Sequence, residues 1–575
     1  MIATPAEQNA VAPEPARSAR PAAPDGRLPI VIGVTGHRHL RAADLPQHRE
    51  RARELFAQLR QRYPSTPLRV VTALAEGADR LVAEVALEEG HELLVPLPLE
   101  PADYERDFPE TTAEFHAILR RVPPEQVFVL PRDTDAGLER LTPHDQREKR
   151  YRAVGMFLAQ QSHLLLALWD GRQTDSTAGT AAVVRMKLEG PSGMPEAGLR
   201  PLDADDGGPV YHIHALRAGE PAGHAVKKPE WLFPQEGDEA LFHTLCGRIE
   251  RFNSEPLRRS LAASLPQAAA ALLPDIASRS AGGQTLAAAF AAADMLARHY
   301  QRITRVVLRL TLLFAALLAL IFEVYAEVLP WRALPAAYLA AFASLTLILL
   351  WQGRRDVQGR YLDYRALAEG LRVQFYWRLA GLPDSAASSY LRKQLDELRW
   401  IREALRAAAA LPPPQTAHPE LAVEHWVGGQ AAYYADRAQS HRKRMHLLER
   451  RSRLFMGAGL LATAGLVVFW NRLQSLPSWH HWIVVLMGFA PIGAALWETY
   501  AERLGLRTQV NQYARFAGIF RRAGRFAERL ERHPGRHDRH HALIALLREL
   551  GREALMENGD WVLLLRERPI VLPKG

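Results

Sequence analysis

Four long apolar runs occupy the second half of this chain, and they come as two pairs. The first pair is Val306 to Leu329 and Ala333 to Trp351, joined around Leu329-Pro330-Trp331-Arg332; the second is Leu454 to Trp470 and Trp482 to Trp497. At about 1.5 Å per residue, roughly 20 residues cross a hydrocarbon core of about 30 Å. The first run reaches that length. The 16-residue run from Trp482 is helped by its flanks, since Trp470, Trp479, Trp482 and Trp497 supply the aromatic belt of a membrane interface. Four spanning helices in two hairpins are expected, and such a chain works at a lipid bilayer.

The two hairpins read as copies. A shift of 149 positions lays Tyr364, Ala368, Leu371 and Arg372 on Tyr513, Ala517, Phe520 and Arg521, and Ala293-Asp294 falls near Ala435-Asp436 with a short gap. Self-similarity at a fixed offset marks a duplicated unit. The units are placed at 284 to 410 and 420 to 575. Arg302, Arg305 and Arg309 precede or open the first span and Arg354, Arg355 and Arg360 follow the second, with Arg332 alone between them. Six basic residues from Arg442 to Arg453 precede the third span and Arg503 and Arg507 follow the fourth, against Arg472 alone between them. By the positive-inside rule, both hairpins point outward and both termini are cytoplasmic.

Composition fits this reading. The net charge of +9 sits largely beside the spans, where Lys and Arg are drawn to anionic lipid at about 1 kcal/mol each, so no nucleic-acid partner is expected. The one cysteine, Cys246, excludes an internal disulfide and reads as a small buried hydrophobe. Residues 1 to 26 are rich in Ala, Pro and Arg and lack an apolar core, which reads as a disordered tail and not a signal peptide.

From residue 27 to 260 the pattern is that of an α/β doubly wound parallel sheet of the Rossmann-like kind. Ile30 to Val34, Leu68 to Thr72, Leu93 to Leu97, Val127 to Leu130 and Leu164 to Trp169 are short apolar runs separated by helical stretches, as buried parallel strands require. Val210 to Leu216 alternates like an added edge strand; its His212 and His214 lack the neighbouring Cys or carboxylate of a metal site. Ligands of such sheets bind beyond the carboxyl ends of the strands. There the chain carries Gly33, Thr35, Gly36, His37 and Arg38 after the first strand, then Glu76, Gly77, Ala78 and Asp79 after the second. Trp169, Asp170 and Gly171 end the fifth, and Gly179-Thr180 opens the next helix. Glycines admit an anion close to backbone amides, and helix N-termini favour it, so these loops are candidates for cradling a phosphate or ribose. On this reading, Gly36→Asp or Gly77→Asp blocks the ligand with little loss of folding.

Gly36-His37-Arg38, Ala75-Glu76-Gly77-Ala78-Asp79, and Arg150-Tyr151-Arg152 leading through Ser162-His163-Leu164 to Trp169-Asp170-Gly171 and Gly179-Thr180 resemble the SLOG superfamily. It includes Lonely Guy hydrolases, the DNA-processing protein DprA and the sensor of melastatin-type channels. The resemblance implies a pocket for a nucleotide or NAD-derived molecule such as ADP-ribose. Lonely Guy enzymes place a catalytic Glu three residues after a motif Thr, where this chain has Val183 after Thr180. No catalytic residue, cofactor or metal is therefore assigned, although Glu76 or Asp79 leaves a membrane-tethered nucleotide glycosidase as an alternative. The segments Ala293 to Tyr300 and Tyr364 to Arg372, with the ending Glu549 to Trp561, resemble SLATT effectors. These are two-helix membrane domains of bacterial conflict systems, thought to act as pores. Together the two resemblances imply a sensor and effector of the bacterial cytoplasmic membrane, acting in antiviral defence as a homo-oligomer; a non-catalytic scaffold is the other alternative. Within the spans, Glu323 and Pro491 are the pore candidates, as an intramembrane carboxylate and a helix kink. Ala458, Ala462 and Gly465 form a small-residue packing face.

Overall fold

The computed structural model describes residues 25–130, 143–174, 178–190, 207–220, 227–234, 237–272, 281–390, 398–411, 416–532 and 536–567. The expected disordered tail lies, as far as residue 24, outside the described residues. Each apolar run of the N-terminal part forms a strand because both of its faces are covered. Strands β1 (Ile30–Gly36), β2 (Leu68–Val71), β3 (Glu92–Leu97), β4 (Val127–Val129), β5 (Leu164–Trp169) and β6 (Val210–His214) pair in parallel. The sheet order is β4-β3-β2-β1-β5-β6-β7, and β7 (Glu230–Leu232) is antiparallel to β6. The expected edge at Val210 is therefore interior; the true edge is a three-residue strand too short to show a pattern.

Ile30, Ile32 and Val34 pack toward α1 (Leu45–Arg62), α2 (Ala78–Glu88) and α3 (Thr112–Leu119). Val31 and Val71 face α4 (Pro143–Gln161) on the other side, where Leu165 and Ala167 meet α5 (Thr180–Glu189). Cys246, on α6 (Glu239–Asn253), is buried among Phe242 and the first face of the sheet, and burial pushes its thiol up.

The rest of the described chain is helical, with four helical stretches long and apolar enough to cross a membrane. Helices α7 (Ala281–Glu327), α8 (Ala333–Arg355) and α9 (Val357–Leu379) make the first unit, followed by α10 (Arg399–Ala409). Helices α11 (Gly429–Val468), α12 (Pro477–Arg503) and α13 (Leu506–Glu531) make the second, and α14 (Arg536–Arg566) closes the chain. Leu313, Leu339, Leu347, Leu460, Leu461 and Val467 are each more than 60% exposed. Soluble proteins do not carry an apolar surface of that extent, whereas lipid tails cover it at no cost.

The duplication is visible in the backbone. In each unit a returning span ends at a left-handed residue, Asp356 (φ 47°) or Gly505 (φ 63°), and the next helix folds back along the first: α9 on α7, α13 on α11. Asp356 and Gly505 are 149 positions apart, the offset read from the side chains. Glycine adopts this backbone freely, and aspartate is among the few other residues that tolerate it. Of the small residues expected to form a packing face on the third span, Gly465 makes no close contact, and the contact with the fourth span is centred on Phe455 and Gly459. Gly459 meets Ala490 and Phe455 meets Gly493.

The two halves share hydrophobic cores. Ala407 and Ala410 complete the sheet face formed by Val31, Val71, Leu94, Val154 and Leu158. Leu245, Ile249 and Phe252 of α6 belong to one cluster with Leu286, Leu296, Leu362 and Leu371. Residues 27 to 260 alone would leave both surfaces open to water.

Candidate functional site

β1 lies between β2 and β5, so connections leave it in opposite directions and a crevice forms at the carboxyl ends of β1 and β5. The candidate loops meet there. The Ala78 N–H donates to the His37 carbonyl (3.1 Å), the His37 N–H to the Leu168 carbonyl (2.9 Å), and the Thr180 hydroxyl to the Gly36 carbonyl (2.9 Å). The Asp170 N–H donates to His37 Nε2 at 3.0 Å, so the ring proton resides on Nδ1 and the imidazole is neutral. Burial, with the nearby Arg217 guanidinium, lowers its pKa in agreement. The 3.5 Å approach of Nε2 to Asp170 Oδ1 is therefore not an ion pair.

These contacts correct the role expected for two glycines. A Cβ on Gly36 would run into Ala78 Cβ and lie 2.6 Å from the Leu168 carbonyl oxygen. Gly77 has φ +84°, and a Cβ there would run into the Arg38 carbonyl. Both positions are glycine because loop packs on loop. Aspartate at either is incompatible with the fold, not merely with an anion. Gly33 lies within β1, 3.0 Å from Ser162 Oγ by the same construction, and Thr35, Ala78 and Trp169 are buried. Gly179 caps α5, which places Thr180 over Gly36.

Beneath the crevice the chain stores strain. Leu74, fully buried, has φ +56°, a conformation that costs about 1–3 kcal/mol for a non-glycine residue. Its N–H donates to Thr72 Oγ1 (3.3 Å), and its carbonyl accepts from Arg80 Nε (3.1 Å). The Thr72 hydroxyl donates to Asp79 Oδ2 at 2.9 Å. Burial raises the Asp79 carboxyl to about 7, although Thr72 and the Ala75 amide work in the opposite direction. Asp170 is different. Burial pushes its carboxyl up, but the Arg172 amide (3.0 Å) and the Arg217 and Arg172 guanidinium groups outweigh it and hold the group low.

A carboxyl whose pKa is raised on folding binds more protons folded than unfolded, so its burial is tolerated below the ordinary value near 4 and destabilises as pH climbs through about 7. Asp79→Asn is expected to raise the melting temperature more at pH 8.5 than at pH 5. An equal change at both pH values would show that Asp79 is ionised throughout.

Arg38 is exposed, its guanidinium 5.8 Å above the Tyr151 ring, and the Tyr151 hydroxyl is buried with no hydrogen-bond partner among the described residues. Glu76 is partly exposed, with its carboxylate 4.0 Å from His39 Nδ1. Arg217 reaches Asp170 from the strand connection after β6, held there by the Ala218 N–H on the His39 carbonyl (2.9 Å). Neither Tyr151 nor Arg217 was assigned to the site from the sequence. Tyr151 lies in a run that had been singled out, whereas nothing in the sequence marks Arg217. Together they leave an open cation over an aromatic ring, a carboxylate beside it, and Gly171 (φ +81°) turning the β5 loop away. Such a set can hold an anion carrying a planar or hydroxylated group.

Val183 is buried against Leu165 and Ala167, on the flank of the sheet and not in the crevice. His212 is also accounted for. Its Nε2 donates to the Trp169 carbonyl (3.0 Å) and its Nδ1 lies 2.9 Å from Glu230. Among the described residues no three His, Cys, Asp or Glu side chains group as metal ligands do.

In the membrane part, Glu323 lies against the fourth span. A Cβ on Gly488 would be 2.6 Å from its Oε1, so the missing side chain makes room for the carboxylate between α7 and α12. Pro491 lies inside α12, which continues through it, and its ring faces Gly459. No protein-family model, curated protein or solved structure matches this chain.

Proposed function

We propose that this chain is a membrane-embedded sensor and effector, in which a Rossmann-like, SLOG-like sheet binds a nucleotide or ADP-ribose-like ligand and SLATT-like hairpins open a pore or disrupt the bilayer. The sensor and both termini face the cytoplasm of a bacterial cell, and several copies assemble, because four spans are too few to enclose a wide conduit alone. A role in antiviral defence follows from the same resemblance. The reading is one of binding without turnover, since Asp79 is sealed beneath the loops and α5 presents no carboxylate at Val183.

One observation carries the coupling. The Val31 N–H of β1 donates to His163 Nδ1 (2.8 Å), and His163 Nε2 donates to the Glu403 carbonyl of α10 (3.0 Å). Burial, chiefly, holds this histidine near pKa 4, so it stays neutral and keeps both bonds. The central strand that carries Gly36-His37-Arg38 is thereby bonded to a helix of the membrane half. Movement at the loops has a short packed route to α9 and the spans.

Calorimetric titration of the full chain in detergent with NAD, ADP-ribose and a nucleotide panel tests the site. Arg38→Glu is expected to weaken binding by about tenfold or more, because it reverses the charge that faces a phosphate while touching no buried contact. Binding to none of the panel, or equal binding by the variant, removes the loops from the account. Release of free base would instead favour the glycosidase.

A further inference from the structure

A groove of about 560 Å³, within the size range of small-molecule sites, opens where the α/β part meets the first membrane unit. Arg251 at the end of α6, Tyr300 and Ile303 on α7, Trp351 and Arg355 at the end of α8, and Arg360 on α9 line it. Its carboxylate, Glu255, is already engaged. It accepts from the Tyr300 hydroxyl (2.8 Å), from Arg360 Nη1 (3.2 Å) and from the Tyr364 hydroxyl (3.3 Å), so Arg360 balances its charge. Arg360 Nε is buried, with no hydrogen-bond partner among the described residues. Arg251 and Arg355 are exposed, and among the described residues no carboxylate pairs with either. The groove is therefore cationic.

Its position selects the ligand. Trp351, 46% exposed, ends the second span, where an interfacial aromatic residue sits at the level of lipid headgroups. Ile303, one turn before the first span, continues the groove toward the apolar zone. We infer that this groove binds the phosphate headgroup of an anionic phospholipid, with Arg251 and Arg355 on the phosphate and Ile303 and Trp351 against the glycerol and first methylenes. The site rests on the membrane reading alone and is independent of a nucleotide at the sheet. It also adjoins Asp356, the left-handed residue between Arg355 and Val357, so a bound lipid would brace the joint between span and cytoplasmic helix.

Native mass spectrometry of the full chain in detergent, with phosphatidylglycerol or phosphatidylcholine added, reads the site directly. Retention of phosphatidylglycerol over phosphatidylcholine is expected. The Arg251→Gln/Arg355→Gln variant should weaken it by about tenfold, while Arg354→Gln, outside the lining, leaves it intact. Both substituted arginines are exposed, and an unchanged melting temperature confirms that the fold is kept. Equal retention by the double variant, or equal retention of the two lipids, overturns the site. Displacement by millimolar inorganic phosphate or ADP overturns the lipid assignment in favour of a free phosphate compound.

Discussion

Gly77→Ala is expected to cost about 4 kcal/mol of stability or more, and to abolish any ligand binding with it. The single methyl is small, but Gly77 has φ 84° and ψ −116°, a region open in practice only to glycine, and the new carbon would meet the Arg38 carbonyl. Strain of about 1–3 kcal/mol and overpacking of a similar size act together. Gly90, also at positive φ (+74°) but with nothing within 4 Å of an added Cβ, is the control. Gly90→Ala carries the backbone strain without the collision and should cost clearly less. Thermal unfolding of both variants in detergent decides the point, and similar losses would mean that loop packing is not what demands glycine at 77.

Glu403→Ala is the second large effect, expected to cost about 3 kcal/mol. Its carboxylate is buried, accepts from Arg406 Nη1 at 2.7 Å and lies 3.8 Å from Arg399 Nε. Burial pushes the carboxyl up, but Arg406, Arg399 and Lys187 outweigh this and hold it below the ordinary range. For a depressed acid the stabilisation is present above the unfolded pKa of about 4 and is lost as pH falls through the folded value. The variant should therefore be less stable than the parent at pH 7, with the gap closing in acid. A gap that does not change with pH would mean that the charge of the carboxylate is not what stabilises this part of the fold.

Much of this architecture was legible in the chain because the physical signals are local. Strands buried on both faces read as unbroken apolar runs, so β1 to β5 were found close to their bounds. Each of the four long apolar runs lies on one candidate membrane helix, although α7 and α11 begin well before the expected spans, at Ala281 and Gly429. The duplication was legible as a 149-residue offset, and the paired left-handed residues Asp356 and Gly505 share that offset. The use of α10 as part of the sheet's cover was not legible. An amphipathic helix shows that it has a face but not what lies against it, and Ala407 is more than 300 residues from its partner Val31. At the site, the glycine signal was ambiguous for a physical reason. A glycine that lets an anion approach and one that lets a neighbouring loop approach look the same in sequence, and at Gly36 and Gly77 it is the loop that occupies the space. The buried left-handed Leu74 left no trace at all, since leucine is not a residue that marks such a turn.

The central claim is that ligand free energy at the sheet reaches the membrane through α10. A ligand can move that equilibrium only by its difference in affinity for the two states, so the decisive measurement is leakage of dye-loaded liposomes containing the full chain, at saturating ligand identified by titration. The account predicts ligand-dependent leakage in the parent and none in Arg38→Glu. It also predicts little in His163→Phe, which binds ligand but lacks the bridge from Val31 to Glu403. Tight liposomes with the parent protein at saturating ligand, or leakage from His163→Phe equal to that of the parent, would contradict it.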